Sequence, residues 1–149
     1  MSKFSNRKWI IFNKSIKFAN KISEHLDRLG ILNKVYHSKL STQDRELALS
    51  EFESNKFRIL IAVDALNAGL NVPDTDSGIC VSGVSTELTN TQQLGRLSRR
   101  TSEDKVALFI NLYAGNTVEE NWVRSKTDKL KNVTWVTSTR NINETNFSK

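Results

Sequence analysis

The amino-acid sequence predicts an α/β domain built on a doubly wound parallel sheet with helices on both faces. Short apolar segments alternate with helix-like segments from residue 8 to about residue 131. Strands that alternate with helices in this way form βαβ units with right-handed crossovers. Residues 58–63 are almost entirely apolar, which is typical of a strand in the middle of a parallel sheet. A chain of 149 residues can bury one hydrophobic core without a disulfide or a metal, so we expect a single domain.

The first two strands flank a helix with a clear start and stop. Residues 8–13 (KWIIFN) form a short apolar strand, and residues 33–37 form a second one. Ser15 is suited to cap a helix that runs to Leu29, and Gly30 is suited to end it. Five apolar residues recur on one face of this helix at helical spacing: Ile16, Ala19, Ile22, Leu26 and Leu29.

The middle of the chain continues the alternation. Ser41 begins a second helix that reaches about Ser54, and Asp44 is its capping-box partner. The strand at residues 58–63 follows, then a polar loop that contains Gly69 and Pro73, the only proline in the chain. Residues 78–84 form the next strand.

The last third of the chain predicts two more helices. Thr89 is suited to cap one of them, residues 105–113 form a strong strand, and Thr117 with Glu120 caps a helix that reaches about Lys131. Its expected core contacts are Val118, Trp122 and Leu130. Residues 132–137 are a candidate final strand. The domain therefore spans residues 1–137, and residues 138–149 are predicted to be a polar tail.

Positive charge is concentrated near the start of the sequence. The formal net charge is +6, and residues 1–34 hold eight Lys or Arg against two acids, whereas the remainder holds 14 of each sign. Lys14, Lys17, Lys21 and Arg28 fall on a face of the first helix other than its apolar face, so they form a stripe. A basic stripe suits a polyanion such as nucleic acid; a solvated lysine-rich face is the alternative.

Cysteine content and hydropathy bound the location of the chain. A single cysteine, Cys80, excludes an internal disulfide and fits a reducing cytoplasm, which is the host's if the chain is viral. Its neighbours Ile79 and Val81 are apolar, which predicts a buried thiol. The longest apolar run, residues 59–63, is too short to cross a bilayer, and residues 1–13 hold no signal-peptide core, so we expect no membrane association.

Several complete catalytic signatures are missing from the sequence. None of the six glycines is followed by Lys, which excludes a P-loop, and no Gly-x-Gly-x-x-Gly occurs. His25, His37 and Cys80 do not have the spacing of a zinc site, so we predict no metal site and expect His25 at the surface. By itself the chain is predicted to lack a complete active site.

Residues 91–100 (TQQLGRLSRR) carry the strongest chemical signal. On a helix, Gln92, Arg96 and Arg99 project from one face, and Gly95 permits the close approach of another backbone. Two guanidinium groups three residues apart are suited to phosphate oxygens. A basic surface helix paired with Asp or Glu is the alternative interpretation of this pattern.

Residues 92–99 resemble motif VI of the superfamily 2 helicases, Q-x-x-G-R-x-x-R. Three further segments resemble motifs of this family in family order: residues 9–19 (WIIFNKSIKFA) motif IV, residues 35–40 (VYHSKL) motif IVa, and residues 59–73 (ILIAVDALNAGLNVP) motif V. The similarity is greatest to the repair-type and restriction-type DNA helicases of phages and bacteria. It implies that the chain is the second, C-terminal RecA-like lobe of a two-lobe motor.

The resemblance implies an ATP site shared with another lobe. In this family ATP with Mg²⁺ lies between the lobes, and the first lobe supplies the P-loop and the magnesium-binding carboxylates. Arg99 would then be the arginine finger on the γ-phosphate, Arg96 a second phosphate or interlobe contact, and Gln92 would order the cleft. Three further positions would lie near the nucleotide: Gly69, Asn71 and Gly95.

The resemblance also implies a nucleic-acid groove. Motifs IV, IVa and V hold the backbone of one strand through loop amides and helix N-termini, so no sequence specificity is expected, and DNA is preferred. The matching positions are Asn13, Ser15, His37, Ser38 and Asp64, and Lys14 and Lys17 would add charge at the same edge. Motif V departs from the usual family residues at two positions, with Val63 in place of Thr and Asn71 in place of Asp.

Two functions of different kinds follow from these observations. The first is half of a nucleic-acid-dependent ATPase, inactive by itself, whose P-loop lobe lies on a separate polypeptide or on a longer chain. The second is a non-catalytic module that binds nucleic acid or regulates a helicase. A flavodoxin-like domain would share the sheet but would explain neither residues 92–99 nor the basic stripe. Trp9, Trp122 and Trp135 suit either base stacking or packing.

Overall fold

A computed structural model of the chain describes residues 7–64, 75, 77–81 and 108–127. The elements in this part of the chain are, in order, β1 (Trp9–Asn13), α1 (Ile16–Arg28), β2 (Asn33–Tyr36), α2 (Thr42–Glu53), β3 (Ile59–Val63), β4 (Ser77–Cys80), β5 (Leu108–Asn111) and α3 (Val118–Thr127). The helix expected after Thr89, the strand at residues 132–137 and the tail at residues 138–149 lie outside the described residues.

The five strands form one parallel sheet. Their spatial order is β2-β3-β1-β4-β5, so β1, the first of the five described strands, is the central one among them. β1 pairs with β3 on one side, where Asn13 lies opposite Val63, and with β4 on the other, where Phe12 lies opposite Cys80. The predicted doubly wound parallel sheet is confirmed.

One face of the sheet packs against α2. Because successive side chains of a strand point to opposite faces, alternate residues of β1 and β3 share this face. The buried cluster here is formed by Ile10, Phe12, Tyr36, Ala48, Phe52, Phe57, Leu60 and Ala62. Phe52 of α2 is completely buried, and its ring lies 5.6 Å from that of Phe57.

The opposite face packs against α1. Ile11, Ile61 and Val63 form its buried cluster together with Ala19 of α1, which has no exposed surface. Ile16, Ile22 and Leu26, three of the predicted apolar positions, are partly buried against this cluster. Helices therefore cover both faces of the sheet, as the apolar spacing predicted.

The helix ends follow the predicted capping residues. The Ser15 hydroxyl accepts a hydrogen bond from the Phe18 amide at 3.3 Å, and Gly30 follows α1 with a φ of +71°, which a side chain would disfavour. The Ser41 hydroxyl accepts from the Asp44 amide at 3.0 Å and donates to the Asp44 carboxylate at 2.7 Å. Both predicted starts are confirmed.

The start of α3 differs from the predicted capping box in one detail. The Thr117 hydroxyl accepts a hydrogen bond from the Glu119 amide at 3.2 Å. The Glu120 carboxylate accepts from the amide of Asn116 at 2.8 Å, one residue earlier than a capping box requires, because Asn116 turns the chain with a φ of +59°.

Two predicted core contacts are wrong. Leu29 is 53% exposed and Val118 is 57% exposed. Leu29 is the cap residue after the last turn of α1, and Val118 is the first residue of α3. Each therefore lies at an end of its helix. The burial of Cys80 and the surface position of His25 are both confirmed.

Candidate nucleic-acid interface

The carboxyl ends of β1, β2 and β3 meet at one edge of the sheet because all strands are parallel. Ligands of open α/β sheets bind at this edge, in the loops that follow the strands. Asn13 ends β1 in the centre of the edge and is 2% exposed. A buried polar side chain at this position must find its hydrogen bonds within the protein.

Asn13 connects three segments of the edge. Its Oδ1 accepts a hydrogen bond from the Ser15 amide at 3.0 Å, and its Nδ2 lies 3.5 Å from the carbonyl oxygen of Ala62 on β3. Its own carbonyl accepts from the Asp64 amide at 2.9 Å. The end of β1, the start of α1 and the end of β3 are therefore held in one arrangement.

The start of α1 presents a positive helix end at this edge. Ser15 satisfies two first-turn amides: its hydroxyl accepts from Phe18 and its carbonyl accepts from Ala19 at 2.9 Å. The amides of Ile16 and Lys17 have no acceptor within the helix. The first turn of α1 holds no acidic residue, and Lys14 and Lys17 are exposed beside it. Free amides, the helix dipole and two lysines together favour an anion.

Asp64 lies beside Asn13 in an unusual backbone conformation. It directly follows β3 with a φ of +47°, in the left-handed region that non-glycine residues adopt at some energetic cost. Such conformations cluster at functional sites. The Asp64 carboxylate would repel a phosphate, and the Asp64 amide already donates to the carbonyl of Asn13. A contact at this position is therefore best suited to a sugar hydroxyl, from which the carboxylate can accept a hydrogen bond.

His37 and Ser38 follow β2, which is separated from β1 by β3. Two strand spacings put them about 10 Å from Asn13 along the edge. Ser38 is exposed and His37 is half-buried. Within the described part of the chain, His37 Nδ1 has no hydrogen-bond partner although it is buried. The imidazole therefore retains a nitrogen for a further hydrogen bond.

The structure thus brings together part of the predicted site. Hydrogen bonds link Asn13 with Ser15 and Asp64. Lys14 and Lys17 flank Ser15 at the start of α1, and His37 and Ser38 lie further along the same edge. The predicted ATP-site residues lie outside the described residues: Gly69, Asn71, Gln92, Gly95, Arg96 and Arg99. Trp9 begins β1 and so lies at the opposite edge, away from these groups.

Sequence reasoning missed Phe18 as a candidate. Its side chain is 44% exposed on α1, although large aromatic side chains are usually well buried. The sequence held a signal for it, since Phe18 falls outside the apolar spacing of Ile16, Ala19 and Ile22.

The described residues form neither a membrane-spanning helix nor a metal-binding cluster. None of the helices there is long and apolar enough to span a membrane. The same residues include no group of three or more His, Cys, Asp or Glu side chains placed to hold a metal ion.

Comparisons with known proteins identify the family. The family of the helicase conserved C-terminal domain matches residues 1–101. The DNA 3'-5' translocase XPB2 of Sulfurisphaera tokodaii is 29% identical over 119 residues, which cover 80% of this chain and 26% of that protein. The DEAD-box ATP-dependent RNA helicase 21 of Oryza sativa subsp. japonica is 28% identical over 103 residues, which cover 69% of this chain and 14% of that protein.

Solved structures agree with this similarity. The C-terminal domain of the DEAD-box protein Dbp5 superposes with a TM-score of 0.71 at 20% identity, over 86% of this chain and 72% of that one. The Pyrococcus furiosus Hef helicase domain superposes with a TM-score of 0.63 at 29% identity, over 80% of this chain and 24% of that one.

The family match and the fold identify a RecA-like lobe of a superfamily 2 helicase. More particularly, the chain belongs to the helicase conserved C-terminal domain family, which corresponds to the second lobe of such enzymes. It spans about a quarter or less of the length of the two curated relatives. In the full enzymes of this family the lobe acts with an N-terminal RecA-like lobe, nucleic acid and ATP.

Proposed function

We propose that this chain is the second motor lobe of a superfamily 2 DNA helicase or translocase and completes an ATP site with a separate P-loop lobe. The observation that carries this proposal is the extent of the family match, which runs to residue 101 and so includes Gln92, Arg96 and Arg99. These residues have the spacing of the motif that reaches the nucleotide across the lobe interface.

In this proposal the chain contributes positively charged side chains to the ATP site. The other lobe contributes the P-loop, which binds the phosphates, and the carboxylates that bind magnesium. ATP with Mg²⁺ supplies the phosphoryl group and its leaving group when bound. The side chains that this lobe offers are guanidinium and amide groups, which fit phosphate oxygens and not a metal ion. Arg99 stabilises the charge that develops on the γ-phosphate, Arg96 makes a second phosphate or interlobe contact, and Gln92 orders the cleft between them.

The rate contribution of the arginine finger makes the proposal testable. A fixed positive charge that reaches a phosphoryl transition state across an interface is worth about 10³–10⁵ in rate. The test uses the tagged chain to isolate its P-loop lobe from a native lysate and then measures ATP turnover by the pair with an oligonucleotide present. Arg99→Ala should lower kcat by about this factor and leave the nucleic-acid Kd nearly unchanged.

The neighbouring Arg100 provides a matched control. Arg100→Ala removes the same side chain one residue later and should change kcat only a few-fold, because on the expected helix Arg100 is rotated by about 100° from Arg99, the residue assigned to the γ-phosphate. Equal turnover by the Arg99→Ala pair and the unmodified pair would contradict the proposed role. A pair without ATP turnover would contradict the motor function itself.

The nucleic-acid part of the proposal rests on the carboxyl edge. The first turn of α1, with its capping Ser15 and the exposed Lys14 and Lys17, binds backbone phosphates. The ends of β2 and β3 add His37, Ser38 and the carboxylate of Asp64, which accepts a hydrogen bond from a sugar hydroxyl. Since these groups contact the backbone, affinity should not depend on sequence. DNA is proposed in preference to RNA from the character of residues 92–99, and matched DNA and RNA oligonucleotides compared at one salt concentration test that choice.

A second candidate function is a non-catalytic module that binds nucleic acid. The exposed lysines of α1 favour it, because they need no ATP to act. In that case the chain alone binds single strands with a steep salt dependence and never yields an ATPase with a P-loop partner. For either function we propose a cytoplasmic location, which suits the single buried thiol of Cys80.

A further inference from the structure

The solvent face of α1 carries a continuous line of cations. With about 100° of rotation per residue, Lys17, Lys21 and Arg28 of α1 lie within about 40° of one another, and Lys14 lies just before the helix begins. Their centre lies on the side of the helix opposite Ala19, which is completely buried against the sheet. We call these four residues the α1 stripe. All of its members are exposed, and it runs about 21 Å from the carboxyl edge along the helix.

Most of the charge on the α1 stripe is uncompensated. Arg28 has an ion pair with Glu24 at 3.9 Å, but both side chains are largely exposed, and such pairs are weak. Lys14, Lys17 and Lys21 make no ion pair in the part of the chain that the structure describes. The positive charge is therefore strongest over the first two turns, next to the edge where Ser15 caps the helix.

An exposed aromatic ring flanks the α1 stripe. Phe18 lies about one helical turn from Lys21, and residues three and four apart are neighbours on a helix surface. Its side chain is 44% exposed, whereas Ala19 beside it is buried. An aromatic face next to a row of cations is the combination that single-stranded nucleic acid recognises, with phosphates on the cations and a base on the ring.

We propose that a single strand of nucleic acid leaves the carboxyl edge and continues along the α1 stripe, with its phosphates on Lys17 and Lys21 and a base stacked on Phe18. This inference rests on the proposed backbone contact at the edge and extends it to an outer surface of the lobe. A stacking platform requires an unpaired base, so the occupant is a single strand and not a duplex. The stripe has room for about six phosphates at the spacing of one strand.

The test measures binding of the whole chain to a fluorescent oligothymidylate and a fluorescent oligouridylate of about 12 nucleotides, each longer than the stripe. Anisotropy titrations at several KCl concentrations give both the affinity and its salt dependence. Lys21→Gln should reduce the slope of log K against log salt by about 0.7, because one phosphate contact is lost on a single strand. Phe18→Leu should weaken binding about tenfold and leave the slope unchanged, because the stacked base carries no charge contact.

Lys56→Gln is the matched control for the loss of one charge. Lys56 precedes β3 and so lies at the opposite edge of the sheet, where its Nζ pairs with Glu51 at 2.7 Å. This variant should bind with unchanged slope. Thermal unfolding of each variant, followed by circular dichroism, shows that the compared proteins are folded.

Three results would overturn the proposal: an unchanged slope for Lys21→Gln, equal affinity for Phe18→Leu, or equal binding of a duplex with the same charge. Competition by polyglutamate as effective as that by the oligonucleotide would also overturn it, since the stripe would then be a surface for acidic proteins. Lys14→Gln separates the edge contact from the path along α1, because Lys14 lies at the edge before the helix begins. If it lowers the slope while Lys21→Gln does not, the edge contact stands and the proposed path of the strand along α1 is wrong.

Discussion

The amide of Asp64 donates a 2.9 Å hydrogen bond to the carbonyl of Asn13, and this bond joins the ends of two adjacent strands where the chain turns away from the sheet. Asp64 makes the bond with a φ of +47°, while Asn13 is almost completely buried and accepts from the start of α1. The local geometry of the candidate site therefore depends on one asparagine.

Replacement of Asn13 should destabilise the fold more than its size suggests. Asn13→Leu keeps the volume but removes the acceptor of the Ser15 amide, which leaves a polar group without a partner and should cost about 1–3 kcal/mol. Urea unfolding measures this cost. Asn20→Leu makes the same change on an exposed position of α1 and should stay within about 0.5 kcal/mol. Equal unfolding midpoints for the two variants would contradict the structural role of Asn13.

Lys17→Glu should have opposite effects on stability and on binding. Lys17 lies in the first turn of α1, where the helix dipole favours a negative charge, so the substitution should raise the free energy of unfolding by about 0.3–1 kcal/mol at low salt. It should weaken oligonucleotide binding, because a phosphate contact is replaced by repulsion.

Lys21→Glu separates the two effects. This residue lies in the middle of α1, so its reversal should weaken binding without the gain in stability. Destabilisation by Lys17→Glu would show that the lysine is needed for the fold, and unaltered binding would show that it does not contact nucleic acid.

Gly78 on β4 should not tolerate a methyl group. A Cβ at this position would lie 2.8 Å from Cδ2 and Cε2 of Phe109, whose ring packs at 6.5 Å from that of Phe12. Gly78→Ala should therefore cost about 1–3 kcal/mol in unfolding free energy, as overpacked cores do. In the double variant with Phe109→Leu, which removes the clashing atoms, the alanine should cost much less. If the two substitutions are simply additive, this explanation is wrong.

Glu51 should contribute to stability in a pH-dependent way. Hydrogen bonds from Lys34 and then Lys56 hold the pKa of the Glu51 carboxyl below its ordinary value of 4.5. Its contribution is thus fully present above that value and is lost as the pH falls through the lower pKa of the folded state. Glu51→Gln should lower the unfolding free energy near neutral pH. The difference in unfolding free energy between this variant and the unmodified chain should shrink as the pH falls towards about 3.

The control for this prediction is Glu46→Gln, which removes a carboxylate from an exposed position of the same helix. Urea unfolding at a series of pH values compares the three proteins. A difference between Glu51→Gln and the unmodified chain that stays constant from neutral pH to about pH 3 would exclude ion pairing as the cause.

The sequence was sufficient for features that depend on neighbouring residues. Ser15 and Ser41 were predicted as caps because a cap and the amide it satisfies are three residues apart. The face of α1 that packs against the sheet also followed from the local spacing of Ile16, Ala19, Ile22 and Leu26. Leu29 and Val118 were predicted wrongly because helical periodicity does not reveal where the neighbouring element ends.

For the candidate site, the residues at the strand ends could be predicted from the sequence, but the hydrogen bonds that connect them could not. Asn13 reaches Ala62 and Asp64 only through the register of β1 with β3, which depends on residues far along the chain. Phe18 was missed because its exposure depends on how α1 is rotated against the sheet. The roles of Gln92, Arg96 and Arg99 stay predictions, since they depend on a second lobe.

The strand order has a consequence for how the domain is made. Among the five described strands, β1 is synthesised first but lies in the middle. Trp9 therefore cannot pair with Ile59 on one side or with Ser77 on the other until those residues have been synthesised. Until then a nascent chain carries an apolar strand with both hydrogen-bonding edges open. Long-range pairing of this kind is slow, and such edges attract other chains. A ribosome that stalls before β3 would therefore release a fragment prone to aggregation, whereas one that stalls after β4 would release a chain whose central strand is already paired on both sides.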